Sequence, residues 1–282
     1  MSDPPTSGPA ASDPSDPPFE PRLALASLSG ESDHEWARAG AEHAGAAFLG
    51  GVALDGASRD AARAMVADRD RSEFLPPDPL AWMDDQLRAL GDATVDVRPG
   101  VNVRSATVEP VREAARICAD HGAVLEVNAH CRQEELCAAG CGETLLRDTE
   151  RLAEYVAAAA DADAAVSVKV RAEVPGVDLA ETAGAIGAAG GDAVHVDAMD
   201  SEGVVATVAD AAPDLFVVAN NGVRDERTVR EYLAYGADAV SVGRPSDDPR
   251  VLRRVRRAVD GWFVADGEGR GKRPESEREG RP

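Results

Sequence analysis

The segment Asn128-Ala129-His130-Cys131-Arg132 places a cysteine three residues beyond an asparagine and between two basic side chains. Neighbouring cations favour a thiolate, and a loop position makes a cysteine a placed proton donor, so Cys131 is the candidate for acid–base chemistry. Cys118, on a helical stretch, reads as a small apolar residue instead. Cys131, Cys137 and Cys141 form a C-x5-C-x3-C pattern. That spacing is not one of the tight paired-cysteine patterns of zinc or common iron–sulfur sites, and a fourth ligand is unassigned, so no metal is expected.

A second chemical signal is a lysine. The chain has 30 Lys plus Arg, yet its lysines are Lys169 and Lys272 alone. Lys272 falls in a charged C-terminal stretch. Lys169 interrupts the alternating run Val166-Ser167-Val168-Lys169-Val170-Arg171, which reads as a strand. A cation among strand residues needs a buried or ligand-facing anion, or its head in water. Its retention where arginine serves elsewhere favours the ligand.

These residues must be held by the elements around them. Apolar or β-branched runs occur at 23–28, 46–54, 95–103, 124–128, 165–170, 193–196, 215–220 and 239–242. Stretches with helical spacing lie between them, including 111–121, 149–160, 179–189 and 227–235. Continuous apolar strands alternating with helices predict a parallel sheet covered on both faces. Eight such units in a chain of this length fit an α/β fold, the (β/α)8 TIM barrel, as a single domain over residues 22–265. A doubly wound open sheet is the alternative, and the eight strand signals and the lack of Gly-x-Gly-x-x-Gly after the first strand count against it. In a barrel, the loops after the strands carry the active site.

Composition sets the setting. The formal net charge is −21, with 51 Asp plus Glu and 4% aromatic residues, a pattern like that of salt-in halophilic proteins. Such a charge repels phosphates and weakens loose nucleic-acid binding. At molar salt the screening length falls to about 3 Å, so the repulsion is largely removed. No run of about 18 apolar residues occurs, so no membrane span is expected. The N-terminal stretch lacks a signal-peptide layout, which with four cysteines points to reduced thiols in a cytoplasmic protein. Residues 1–21 and 266–282 read as disordered tails.

Over residues 101–245 the chain resembles the tRNA-dihydrouridine synthases, flavin-dependent barrel enzymes. Their loop after strand four reads Asn-x-Gly-Cys-Pro, followed by Gly-Ala-Gly-x-x-Leu-Leu and Asp. Here the same order is Asn128-Ala129-His130-Cys131-Arg132, then Gly140-Cys141-Gly142-Glu143-Thr144-Leu145-Leu146 and Asp148. The family's Val-Lys-x-Arg strand is matched by Val168-Lys169-Val170-Arg171, its strand-six histidine by His195, and its late Asn-Gly and Gly-Arg pairs by Asn221-Gly222 and Gly243-Arg244.

The resemblance implies FMN as cofactor, with NADPH or NADH as its reductant, and tRNA as a possible partner. It implies hydride transfer to C6 of a uracil ring, with Cys131 protonating C5. It places Lys169 on the flavin ring, Asn102 and His195 among the cofactor contacts, and Asn221, Gly222, Gly243 and Arg244 at the phosphate. Asn128 and Arg171 are the implied substrate contacts. The chain departs from the family pattern at several points. His130 and Arg132 replace Gly and Pro, Asn102 replaces Gln, and strand one lacks Pro-Met. Val196-Asp197 follows His195 where the family has Gly-Arg or Ala-Arg, and after helix 249–263 no tRNA-gripping helical domain is expected. Two alternatives remain: an FMN enzyme acting on a small dihydropyrimidine, like dihydroorotate dehydrogenases, and a barrel that has lost flavin and serves as a binding protein.

Overall fold

Six of the eight strands begin at the first residue of an apolar or β-branched run. The computed structural model describes residues 17–68 and 72–267. Its strands are β1 (Leu23–Leu25), β2 (Ala46–Ala53), β3 (Arg98–Arg104), β4 (Val124–Asn128), β5 (Ala165–Arg171), β6 (Ala193–Asp197), β7 (Phe216–Asn220) and β8 (Ala239–Val242). Each pairs in parallel with its sequence neighbour, and β8 returns to β1 through Leu23↔Val240 and Leu25↔Val242, closing the barrel. The expected (β/α)8 TIM barrel is the fold.

The first strand is shorter than its apolar run. Beyond Leu25 the chain bends: the Leu28 amide donates to Ser32 Oγ at 2.9 Å, so residues 26–29 line the barrel mouth instead of extending the ladder. The third strand starts three residues late, with Arg98 opposite Ala46, while Val97 packs in the surrounding core. Of the expected N-terminal tail, residues 17–21 are described: Phe19 is buried and meets the Phe216 ring edge-on at 5.3 Å. Residues 1–16 and 268–282 lie outside the described residues.

Five of the 51 acidic residues have a local use as helix caps. Asp33, Asp78, Asp148, Asp178 and Asp225 each stand before a helix and accept from its first-turn amides. A carboxylate there satisfies otherwise unpaired donors and complements the helix dipole. No described helix is long and apolar enough to cross a membrane.

Inside the barrel the residues are layered. The floor is apolar, made by Phe19, Ala24, Ala46, Phe48, Val218 and Ala239. Above it lies a buried polar layer that includes Asn102, Glu126, Ser167, Lys169, His195 and Ser241. The ladder register puts Asn102 beside Glu126, Asn128 beside Lys169, and Lys169 beside His195. The floor seals this layer from solvent below, so its charges interact through protein rather than through water.

Candidate active site

A cavity of about 920 Å³ opens at the C-terminal ends of the strands. It is at the upper end of the ~300–1,000 Å³ that ligand pockets span. Ser27 and Ser29 after β1, Arg104 on β3, Asn128, His130 and Cys131 at the end of β4, Lys169 on β5 and Asp197 on β6 line one side. Asn220 to Arg224, from the end of β7 onward, and Ser241, Gly243, Arg244 and Pro245 around β8 line the other. The Lys169 ammonium is nearly buried yet makes no hydrogen bond or ion pair among the described residues, and its side chain faces the cavity.

A chain of hydrogen bonds runs beneath the cavity. Asn128 Nδ2 donates to Asn102 Oδ1 at 2.8 Å, and Asn102 Nδ2 donates to Glu126 Oε1 at 2.7 Å. The other oxygen, Glu126 Oε2, lies 2.7 Å from His195 Nδ1, and His195 Nε2 lies 2.7 Å from Ser241 Oγ. Asn220 Nδ2 donates to the same hydroxyl at 2.7 Å. Burial would push the Glu126 carboxyl up, but His195, Lys169 and Asn102 hold it below its ordinary value. Burial lowers His195, which is therefore neutral. The consistent assignment is Nδ1–H donating to the Glu126 carboxylate, with Nε2 accepting from Ser241.

Two expected cofactor contacts sit in this chain and not at the cavity wall. Asn102 and His195 are fully buried, and every polar atom of their side chains is engaged within the layer. Asparagine is one methylene shorter than the family's glutamine, so its amide ends at Glu126 and Asn128, below the mouth. Arg171, expected at the substrate, is turned to Glu143 in the loop after β4, with Nη1 and Oε1 3.3 Å apart. It is not among the cavity-lining residues. The others expected there, Cys131, Asn128, Lys169, Asn221, Gly222, Gly243 and Arg244, all line the cavity.

The cysteine loop is built around one carbonyl and one amide side chain. Asn128 Oδ1 accepts from the backbone N–H of His130 at 3.2 Å and of Cys131 at 3.1 Å. The Cys131 carbonyl accepts from the Glu143 amide at 2.8 Å. Gly142, at φ 58°, lies so close that an added Cβ would collide with that carbonyl. The Gly140-Cys141-Gly142 motif thus clamps Cys131.

The three buried thiols differ sharply. Burial pushes Cys118 and Cys141 up to about 12. Burial acts on Cys131 in the same sense, but the Arg104 guanidinium and His130 outweigh it and bring it down to about 6. Arg104 is itself fixed by a buried ion pair with Glu73, Nη1 to Oε2 at 2.6 Å, and by a hydrogen bond to Ser29. Arg104 and His130 therefore favour the thiolate form of Cys131. His130 Nε2 lies 2.8 Å from Asp197 Oδ2. Burial would lower His130, but Asp197 and Cys131 raise it above its ordinary value.

Near the barrel's last strands two backbone amides are uncommitted. Asn221 and Gly222 both adopt left-handed conformations, at φ 91° and 66°. Among the described residues neither the Gly222 nor the Gly243 amide finds an acceptor, and both glycine Cα positions face open space.

The dihydrouridine synthase family model, Dihydrouridine synthase (Dus), matches residues 98–263, more than half of the chain. The chain belongs to the dihydrouridine synthase family. Membership carries the coarse activity of an oxidoreductase. Among curated relatives, tRNA-dihydrouridine synthase B of Xanthomonas axonopodis pv. citri is 32% identical over 61% of this chain and 56% of its own length. The chain thus spans little more than half of that relative. The catalytic subunit of dihydroorotate dehydrogenase B (NAD(+)) of Methanothermobacter thermautotrophicus is 26% identical over 59% of this chain and 64% of its own. An uncharacterized protein of Methanocaldococcus jannaschii is 25% identical over 80% of this chain and 89% of its own. Of solved structures, DHODH from Eimeria tenella in complex with ferulenol superposes with a TM-score of 0.63 at 14% identity, over 88% of this chain and 82% of that one. At that identity the likeness is one of fold.

Arg104, Glu73, Glu126 and Ser241 are site residues that the motifs do not mark, and Asp197 stands in the motif only as a departure. For Glu126 a signal existed: an acidic residue within the apolar run Val124-Leu125-Glu126-Val127 must find a buried partner.

Proposed function

We propose that this chain is an FMN-dependent oxidoreductase that moves hydride between flavin and the C5=C6 bond of a uracil-type ring, with Cys131 handling the proton at C5. The observation that carries this reading is the pairing, in one cavity, of an unpaired ammonium at Lys169 with uncommitted amides at Gly222 and Gly243 and the side chain of Arg244. The residues fit the cofactor: Lys169 would meet the electron-rich edge of the ring, and the glycine amides with Arg244 would hold the phosphate. When bound, the flavin supplies hydride chemistry that no amino-acid side chain offers.

The chain's own residues do the rest. The hydrogen-bonded layer from Asn128 to Asn220 fixes the cavity wall, so little rearrangement accompanies reaction. Lys169 stabilises negative charge that develops beside it, where a compact ammonium suits the space better than a planar guanidinium. Asn128 holds the cysteine loop with its Oδ1, and its side chain lines the cavity. NADPH or NADH is the proposed reductant.

A tRNA uridine is the leading substrate, and the surface next to the cavity supports it. The helix Pro249–Gly267 carries Arg250, Arg253, Arg254 and Arg257, all exposed, in a chain of net charge −21. Arg254 Nε donates at 2.9 Å to the carbonyl of Arg224, which lines the cavity, so this basic face adjoins the mouth. A small dihydropyrimidine is the second reading, favoured by the lowered Cys131 thiol, whose thiolate form suits abstraction of a proton from a saturated carbon.

A visible spectrum of the protein purified in high salt tests the cofactor: flavin bands are expected, and a colourless protein that takes up no FMN would overturn the reading. Dihydrouridine content of total tRNA from a deletion strain then separates the substrates. Loss of dihydrouridine identifies tRNA; unchanged content assigns the small-molecule alternative.

A further inference from the structure

We propose that Cys131, His130 and Asp197 form one proton-handling unit, in which His130, oriented by Asp197, stores the proton that Cys131 exchanges with a substrate carbon. The identity of that carbon rests on the function proposed above; the unit itself rests on geometry. Two departures from the family pattern, His130 for Gly and Asp197 for Arg, lie 67 residues apart in the chain and meet at 2.8 Å across the barrel mouth. They are a single feature. With Nε2 on Asp197, the other ring nitrogen, Nδ1, is buried and makes no hydrogen bond among the described residues. His130 and Cys131 are consecutive, their backbone N–H groups are both held by Asn128 Oδ1, and both line the cavity, so the unpartnered ring nitrogen and the thiol belong to one fixed turn. A cysteine, a histidine and an orienting carboxylate in that order form the arrangement that activates a thiol.

The surrounding charges leave His130 as the proton carrier. Arg104 from β3 faces Cys131, with Glu73 behind it and Cys141 nearby in the loop. Arg104 stabilises a thiolate but does not release a proton at any working pH. Lys169 from β5 acts on His130 and on Asp197, disfavouring the imidazolium, and Asp197 from β6 outweighs it at 2.8 Å. Cys118 is remote on its helix.

The balance is simple. At rest the thiol proton resides on His130, giving thiolate and imidazolium. To protonate a carbon, the imidazolium returns its proton to sulfur, the thiol passes it to the carbon, and His130 is left neutral with Cys131 again a thiolate. One proton moves, no sulfur–carbon bond forms, and the hydride on the adjacent carbon is that of the proposed flavin chemistry. In the reverse sense the thiolate takes the proton from carbon and hands it to His130. Cys131 is the catalytic residue; His130 and Asp197 act through it as positioning residues.

The test is a pH titration of thiolate ultraviolet absorbance in the protein as purified, read as the difference from its Cys131→Ala variant. A midpoint near 6 is expected. His130→Gln is expected to raise the midpoint by at least about one unit, a roughly tenfold loss of thiolate relative to thiol on the acid side. Asp197→Asn should move it in the same direction, and Asp197→Glu should restore it. An unmoved midpoint in His130→Gln overturns the unit; if that variant fails to fold, an unmoved midpoint in Asp197→Asn overturns it equally. A colourless protein with the expected titration would sink the flavin reading and leave this inference standing. With activity, the acid limb of the kcat profile should shift in both variants while KM stays within about twofold.

Discussion

Glu126 Oε2 and His195 Nδ1 are 2.7 Å apart at the centre of the barrel, where neither side chain has any exposed surface. The direction of the whole hydrogen-bond chain follows from this contact. Because Glu126 can only accept, Asn102 must turn its amide nitrogen to it and its oxygen to Asn128, and Asn128 must turn its oxygen to the cysteine loop.

Glu126→Gln therefore does more than remove a charge. If the glutamine oxygen keeps the His195 bond, its NH2 meets the Asn102 NH2, and flipping Asn102 only moves the conflict to Asn128. One buried donor is left unpaired, which costs about 1–3 kcal/mol. Urea unfolding should show a loss of that size, together with weaker protection of the His130 and Cys131 amides from hydrogen exchange. Unchanged stability would refute the assigned polarity.

The thiol of Cys131 adds a pH-dependent stability term of defined sign. Its folded value of about 6 lies below the ordinary 9.0. Between those values the folded state holds a thiolate where the unfolded chain holds a thiol, so stability rises with pH and is lost as pH falls towards 6. His130, raised in the folded state, works oppositely: its contribution is present below about 6.5 and lost as pH rises through its folded value. In urea unfolding, the advantage of the wild type over Cys131→Ala should grow from pH 6 to pH 9. A flat difference would contradict the lowered thiol.

Gly142→Ala is expected to disturb the cysteine loop selectively. The added Cβ enters the space of the Cys131 carbonyl at a left-handed φ of 58°. Left-handed backbone at a non-glycine residue costs about 1 kcal/mol or more before the collision is counted. A loss of about 2–4 kcal/mol in urea unfolding is expected, with Cys131 alkylation altered more than that of Cys118.

The barrel and the lining residues Asn128, Cys131, Lys169, Gly222 and Gly243 were legible because each signal is local: a run of β-branched residues, or a motif at a strand end. Arg104 with Glu73, and His130 with Asp197, join residues 31 and 67 positions apart, and only the folded packing of strands and connecting segments brings them together. Asn102 and His195 were correctly placed on strands, but their depth was not legible. Whether an inward side chain reaches the mouth or stops one layer below depends on its length and on barrel register, neither of which a motif encodes.

Lys169→Met tests the ammonium itself. The substitution keeps a flexible apolar stem and removes the charge that disfavours protonation of Glu126 and Asp197. Both carboxyls should titrate higher, and FMN affinity, measured by quenching of flavin fluorescence, should fall about tenfold or more, equivalent to about 1.4 kcal/mol. Lys169→Arg should not restore it, since a planar fork cannot occupy the place of a point charge beside Asn128 and His195. Full flavin affinity in Lys169→Met would remove this residue from the cofactor site.

Charge reversal on the basic helix tests the route of the substrate. Arg250, Arg253 and Arg257 are exposed, and the helix is tied to the mouth through Arg254 and Arg224. Each arginine that meets a phosphate releases counterions, so the slope of log affinity against log salt should fall by about one per contact removed. Arg253→Glu with Arg257→Glu should therefore weaken tRNA binding at least about tenfold at moderate salt and flatten the slope by about two. Turnover of free uridine-type substrates should not change, because neither residue lines the cavity. If tRNA binding were unaffected while the flavin remained active, the polymer would approach by another face, and the small-molecule reading would gain.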